Sequence, residues 1–409
     1  MVRTTRYTRR LMATVAAAGA VGALVTATPA QASTGTSWWA DLSTVDNDDV
    51  NVHAASGVLA LADPAWHRTA AQTAGSEGYL LLPEHALATP SNRVTAAVSA
   101  DTTAGAEVEV DVRGKSGDDW SEWQPADTGA ATFAHPATSV QVRIALRTDA
   151  DRGVSADVTG VELTADNVAS AQAAAFTAAR TYKVYATREG LVGGTTANGH
   201  VITSNDHFVS FPSGKSLSPK GTGNYSARVC RTDGSRCEYD PVWEVGPWNE
   251  KDDYWNPAAS RQMWKDVAQG KPEAQAAYLN GYNGGKDDTG RKVQNPSGID
   301  LADGTFSAGV GLSDNGYVNV TYLWTGSGPT GVVTTAGDPM NVRASGHTSA
   351  AIKGLAANYA KVLIECYVQG DSVTGTFGTS KIWDRIGPGN FVSDAYVKTG
   401  SDSPVAPVC

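Results

Sequence analysis

Apolar residues fall at every second position in segments 93–98, 108–113 and 140–145, the period that turns one face of a strand toward a core. Turn-forming residues separate these runs, so residues 33–168 are expected to form a β-sandwich. Residues 169–180 change texture: they are rich in Ala with almost no turn signal, and read as a linker or a short helix. Strand patterning resumes in 181–328, which ends in the alternating run Gly316-Tyr317-Val318-Asn319-Val320-Thr321-Tyr322. Inside it, 258–267 has helical character and 281–285 is expected to be a flexible loop. After a linker at 329–338, residues 339–409 carry short strands at close spacing with Gly turns, the pattern of a small barrel.

The first residues follow a different rule. Arg3, Arg6, Arg9 and Arg10 precede an apolar run at 11–25, then Pro29 and the small-x-small step Ala30-Gln31-Ala32. This is the layout of a secretory signal, so residues 1–32 are expected to be removed and the remainder to be soluble and extracellular. The run is shorter than the ~20 residues a membrane span requires.

Composition narrows the partners. Charged residues are 18% of the 409, against 41% hydrophobic with 43 Gly and 18 Pro, which excludes fibrous and disordered classes. The formal net charge is −10, and loss of the four leader arginines would make it −14. Such a chain repels phosphate backbones and anionic lipid, so neither nucleic acid nor a membrane surface is an expected partner. Four cysteines suit an oxidising compartment. Cys230 and Cys237 flank the turn signal Asp233-Gly234 and are expected to staple adjacent strands, which leaves Cys366 to pair with Cys409.

The order of motifs in the middle segment carries a resemblance. Gly193-Gly194-Thr195-Thr196-Ala197-Asn198-Gly199-His200 comes first, then His207-Phe208-Val209-Ser210-Phe211-Pro212. Val242-Trp243-Glu244-Val245-Gly246-Pro247 and Gly298-Ile299-Asp300-Leu301-Ala302 follow, before the closing strand. This succession resembles the double-psi β-barrel of rare lipoprotein A and expansin type, and implies a six-stranded barrel over 181–328 with a helical insert. Asn341-Val342-Arg343, Trp383 and Val392-Ser393-Asp394-Ala395-Tyr396-Val397 resemble a bacterial SH3-like domain over 339–409, a module that often tethers secreted proteins to the wall. Val110-Asp111-Val112-Arg113 with Trp120 and Trp123 resembles the β-sandwich modules of secreted cell-wall amidases. The expected fold is therefore mainly β in three modules.

The resemblance also points to a site. Asp300 matches the family's Asp in the Ile-Asp-Leu element, and alternation sends it away from its apolar neighbours. Glu244 stands where the family has Asp in an Asp-x-Gly-Pro turn, giving a second carboxylate one methylene longer. His200 replaces the Glu that follows Thr-Ala-Asn-Gly in lytic members, which removes a carboxylate tied to glycan cleavage. Trp243, Trp248, Tyr254 and Trp255, interleaved with Asn and Asp, have the composition of a sugar platform. No metal or cofactor motif is present, since His200 and His207 lack ligand spacing. The expected function is binding or remodelling of peptidoglycan or another polysaccharide, with a lytic transglycosylase- or hydrolase-like reaction if the protein is an enzyme. A secreted protease inhibitor working through the barrel loops, and a non-catalytic structural or adhesion protein, are the alternatives.

Overall fold

Alternating strands dominate the computed structural model, which describes residues 35–68, 75–103, 105–148, 154–168 and 178–409. The expected signal at 1–32 and most of the Ala-rich segment, 169–177, lie outside the described residues.

The alternating runs of the first part lie in long strands of one ten-stranded sheet, among them His85–Asp101, Ala106–Ser116, Ala131–Thr148 and Asp157–Asp166. Val94, Val110, Val112, Val140, Val142 and Ile144 bury one face in a common core. The intervening polar positions do not all reach water. Asp111, Arg113 and Arg143 are buried as well, with Arg143 donating to Asp111 at 2.6 Å and to the carbonyl of Gly214 at 3.2 Å. Tertiary packing has covered a face that alternation alone assigns to solvent; the Arg143–Asp111 pair offsets part of the cost of burying charge, and Arg113 is held by hydrogen bonds to Gln141 and Asn224.

Six strands close into a mixed barrel: β1 (Arg180–Arg188), β2 (Val209–Phe211), β3 (Ser226–Arg231), β4 (Cys237–Val245), β5 (Ser297–Leu301) and β6 (Gly316–Tyr322). The ring runs β2, β5, β1, β6, β3, β4 and returns to β2. The β1–β5 and β2–β4 pairings are parallel and the other four antiparallel. Closure leaves no free edge. Val184, Ala186, Val209, Phe211, Val242, Ile299, Leu301, Val318 and Val320 form its fully buried core.

Beyond the barrel, Met340–Arg343, Ile352–Ala356, Cys366–Gly375, Gly378–Gly387 and Asn390–Ser393 continue the barrel's sheet, because Ile352–Ala356 pairs in parallel with β4. The expected linker at 329–338 contains a strand, Thr330–Val333, paired with Lys361–Leu363 and Val397–Lys398. Both disulfides form as the spacing suggests, Cys230 with Cys237 and Cys366 with Cys409. They suit a non-cytoplasmic environment. Among the described residues no helix is long and apolar enough to cross a membrane.

The helical expectation needs correction. Residues 258–267 are turns, with Trp264 at φ 58° and Arg261 buried against Asp252. The insert's α-helix is instead Glu273–Asn280. Its signals are local: Pro272 at the N-cap, Glu273 in the first turn, three alanines, and Gly281 in the left-handed region at φ 67°. Tyr282–Gly285, expected as a flexible loop, forms a short 3₁₀ turn.

Candidate functional site

Strand register brings the two predicted carboxylates together. Thr187 of β1 lies opposite Asp300 of β5, Asp300 opposite Ser210 of β2, and Ser210 opposite Glu244 of β4. Asp300 and Glu244 thus occupy one row across neighbouring strands, two strands and about 10 Å apart at the backbone. The row opens into a cleft of about 220 Å³ whose walls include Glu189, Trp248, Asn249 and Glu250.

Asp300 is half-buried between the buried Ile299 and Leu301. It accepts hydrogen bonds from the hydroxyl of Thr187 and, at 3.4 Å, from that of Ser297. Burial pushes its carboxyl from 3.8 up to about 6, against the opposing pull of these two hydroxyls. Glu189 follows β1, and its carboxyl is raised well above its ordinary value, by burial first and by the nearby Asp300 second. Its Oε2 is buried and has no hydrogen-bond partner among the described residues. Burial thus favours the protonated form of both carboxyls, and Asp300 titrates close to the working range.

Glu244 has a different environment. Its side chain is ion-paired with Arg68, which the first part of the chain supplies, and its Oε1 also accepts the Val245 N–H at 2.6 Å. Arg68 is fully buried and additionally engages Glu77, the carbonyl of Val245 at 3.1 Å, and Glu250 at 3.4 Å. This guanidinium and the Val245 N–H fix the position of the Glu244 carboxyl.

The aromatic residues divide. Trp248 stands at the cleft, half-buried, with φ 65° and its indole N–H donated to Asn295 at 3.0 Å. Arg291 donates to its carbonyl at 2.7 Å. Trp243 faces elsewhere, packed with Phe208 and 4.9 Å from the ring of His200, which is in turn bonded to Asp206 at 2.7 Å. Neither Trp243 nor His200 lines the cleft. Tyr254 and Trp255 require correction as platform residues. Both are fully buried in the barrel's core cluster, Tyr254 donating to the Gly298 carbonyl at 2.7 Å and Trp255 to Glu122 at 2.7 Å. Their rings are consumed by packing, which burying large apolar surface favours over exposure.

Sequence reasoning missed Glu189, Glu250 and Arg68. Glu250 sits in the aromatic-rich insert, and Glu189 comes directly after a strand, so their positions were visible but their convergence was not. Arg68, 176 residues before Glu244, carries no local signal at all.

Residues 180–321 match the model of a family described as a domain of unknown function, DUF8814. The matched span covers the six barrel strands but for the last residue, Tyr322. Among curated proteins, the chain is 42% identical over 87 residues to the uncharacterized protein YraI of Bacillus subtilis (strain 168), spanning 72% of that protein and 19% of this chain. It is also 42% identical over 86 residues to the uncharacterized protein YraJ of the same organism, spanning 73% of it and 19% of this chain. No solved structure matches the chain significantly.

Proposed function

We propose, for a chain that belongs to the family of the uncharacterized Bacillus subtilis proteins YraI and YraJ, a secreted role in binding or remodelling glycan at the bacterial cell wall. The observation that carries this reading is the cleft where Asp300 and Glu189, both with carboxyls raised by burial, stand beside the half-buried Trp248. A sugar needs one flat apolar surface and short polar groups for its hydroxyls, and Trp248 with Asn295 and Asp300 offers that combination. Asp300, titrating near 6, is suited to hydrogen-bond or protonate a glycosidic oxygen.

The two parallel pairings in the six-stranded ring support a double-psi reading of the barrel, and the short strands around Val342, Ile386 and Val392 support an SH3-like reading of the C-terminal part. In the N-terminal part, the long strands packed over one core support a β-sandwich reading. Glu244 is tied to Arg68, so any two-carboxylate hydrolysis would fall to Asp300 and Glu189, which share the cleft.

The test is co-sedimentation of the processed protein with purified peptidoglycan, chitin and cellulose, together with assay of released soluble fragments. Wild type is expected to sediment with at least one glycan, Trp248→Ala to bind roughly tenfold more weakly, and Asp300→Asn to abolish any fragment release. Failure to sediment with every insoluble glycan overturns the reading.

A further inference from the structure

A second polar cluster lies toward the start of β4, away from the cleft. Glu238 and Asp240 are two residues apart in a regular stretch of β4, so they share one face. Glu238 precedes Glu244 by six residues, about 20 Å along the strand, which separates this cluster from the Asp300 row. Both side chains are fully buried. His207, two residues before β2, brings Nδ1 to 2.6 Å from Glu238 Oε1. One ligand-capable atom from each of the three residues falls within 4.8 Å of the others.

Two further observations separate this cluster from an ordinary buried polar group. Glu238 Oε2 and Asp240 Oδ2 are buried without a hydrogen-bond partner, and among the described residues no Lys or Arg forms a salt bridge with either acid. The turn that faces them is also cut back to backbone. A Cβ added at Gly309 would lie 1.4 Å from Glu238 Oε2, and one at Gly304 would lie 2.7 Å from His207 Nε2. Between these glycines, Thr305 donates its hydroxyl to Asp240 Oδ1 at 2.9 Å and so orients Oδ2. Paired carboxylates with bare oxygens, one imidazole and an outer hydroxyl that fixes a ligand are the parts of a metal site. His207 retains 13% side-chain exposure, which provides a route in from solvent.

We propose that His207, Glu238 and Asp240 bind a first-row divalent cation of the Zn²⁺ or Mn²⁺ type. The imidazole argues against Ca²⁺ or Mg²⁺, which take all-oxygen shells, and the lack of thiolate argues against softer ions. Chain spacing hides the site, since His207 lies 31 residues from Glu238 and joins it only when β2 pairs with β4.

The experiment strips the purified chain with a chelator and titrates it with ZnCl₂ or MnCl₂, reading calorimetry, thermal melting and, for Mn²⁺, electron paramagnetic resonance. Wild type is expected to take up one equivalent and to melt at higher temperature with metal. Glu238→Gln and Asp240→Asn should abolish uptake, and Thr305→Val should weaken it ~10–100-fold, as loss of an outer-shell partner does. His207→Ala, at the least buried ligand, serves if either acid variant does not fold, and Asp300→Asn should keep the full equivalent. The proposal is overturned if wild type binds neither ion, or if the folded ligand variants bind as wild type does. It is equally overturned if Glu238→Gln raises the melting temperature of a wild type that takes up no metal, which would identify a proton-sharing acid pair.

Discussion

At the scale of single residues, what distinguishes Asp300 is a charge held where water is scarce. Its carboxyl is raised to about 6 in the folded protein, from 3.8, chiefly by burial. The folded state therefore binds this proton more tightly than the unfolded chain does, and stability falls as pH rises from about 4 to about 6. Asp300→Asn removes that loss. The variant is expected to match wild type near pH 4 and to exceed it at pH 8 by up to about 3 kcal/mol, discounted for the group's partial exposure. Urea denaturation at the two pH values checks this, and equal stability at pH 8 would show the carboxylate to be well solvated. A gain in stability with a loss of glycan effect is the trade expected of a functional acid.

At the scale of elements, the two disulfides brace different closures. Cys230–Cys237 ties β3 to β4 across a separation of seven residues, whereas Cys366–Cys409 returns the end of the chain to a strand 43 residues earlier. In the chain-entropy account the first contributes about 2.5 kcal/mol and the second about 4 kcal/mol. Replacing Cys366 and Cys409 with Ser should therefore lower denaturant stability more than replacing Cys230 and Cys237. The opposite order would mean that β3–β4 pairing depends on its staple. The strand periods were legible because alternation is local, and so was the pairing of Cys230 with Cys237 across an Asp-Gly turn. The helix was misplaced for an equally local reason. Residues 258–267 have helical composition, but Arg261 is drawn into a buried pair with Asp252, while Pro272 and Gly281 bracket the segment that does coil.

At the scale of the whole molecule, residues Gly35–Cys409 form one compact unit. Trp123, from the first sheet's part of the chain, is buried in the barrel's core cluster, and its indole N–H reaches the Leu217 carbonyl at 3.0 Å. Arg68 ties that part to Glu244 and Glu250. One cooperative unfolding transition is expected, with tryptophan fluorescence and far-UV circular dichroism coincident. Arg68→Met strands three acids around a buried site and should cost about 3–5 kcal/mol, shifting both probes together. Two separated transitions would show that the sheet and the barrel fold independently. The sequence by itself determined the β character, the strand runs and the Cys230–Cys237 pair, because each is carried by neighbours within a strand or a turn; Cys366 with Cys409 followed as the remaining pair, and Asp300 and Glu244 became candidates through the order of motifs along the chain. Only the tertiary structure decided that Tyr254 and Trp255 belong to the core, that Arg68 holds Glu244, that Glu189 completes the cleft, and that His207 meets Glu238 and Asp240. Those outcomes depend on which strands pair and which faces are covered, and barrel closure sets both through contacts far apart in the chain.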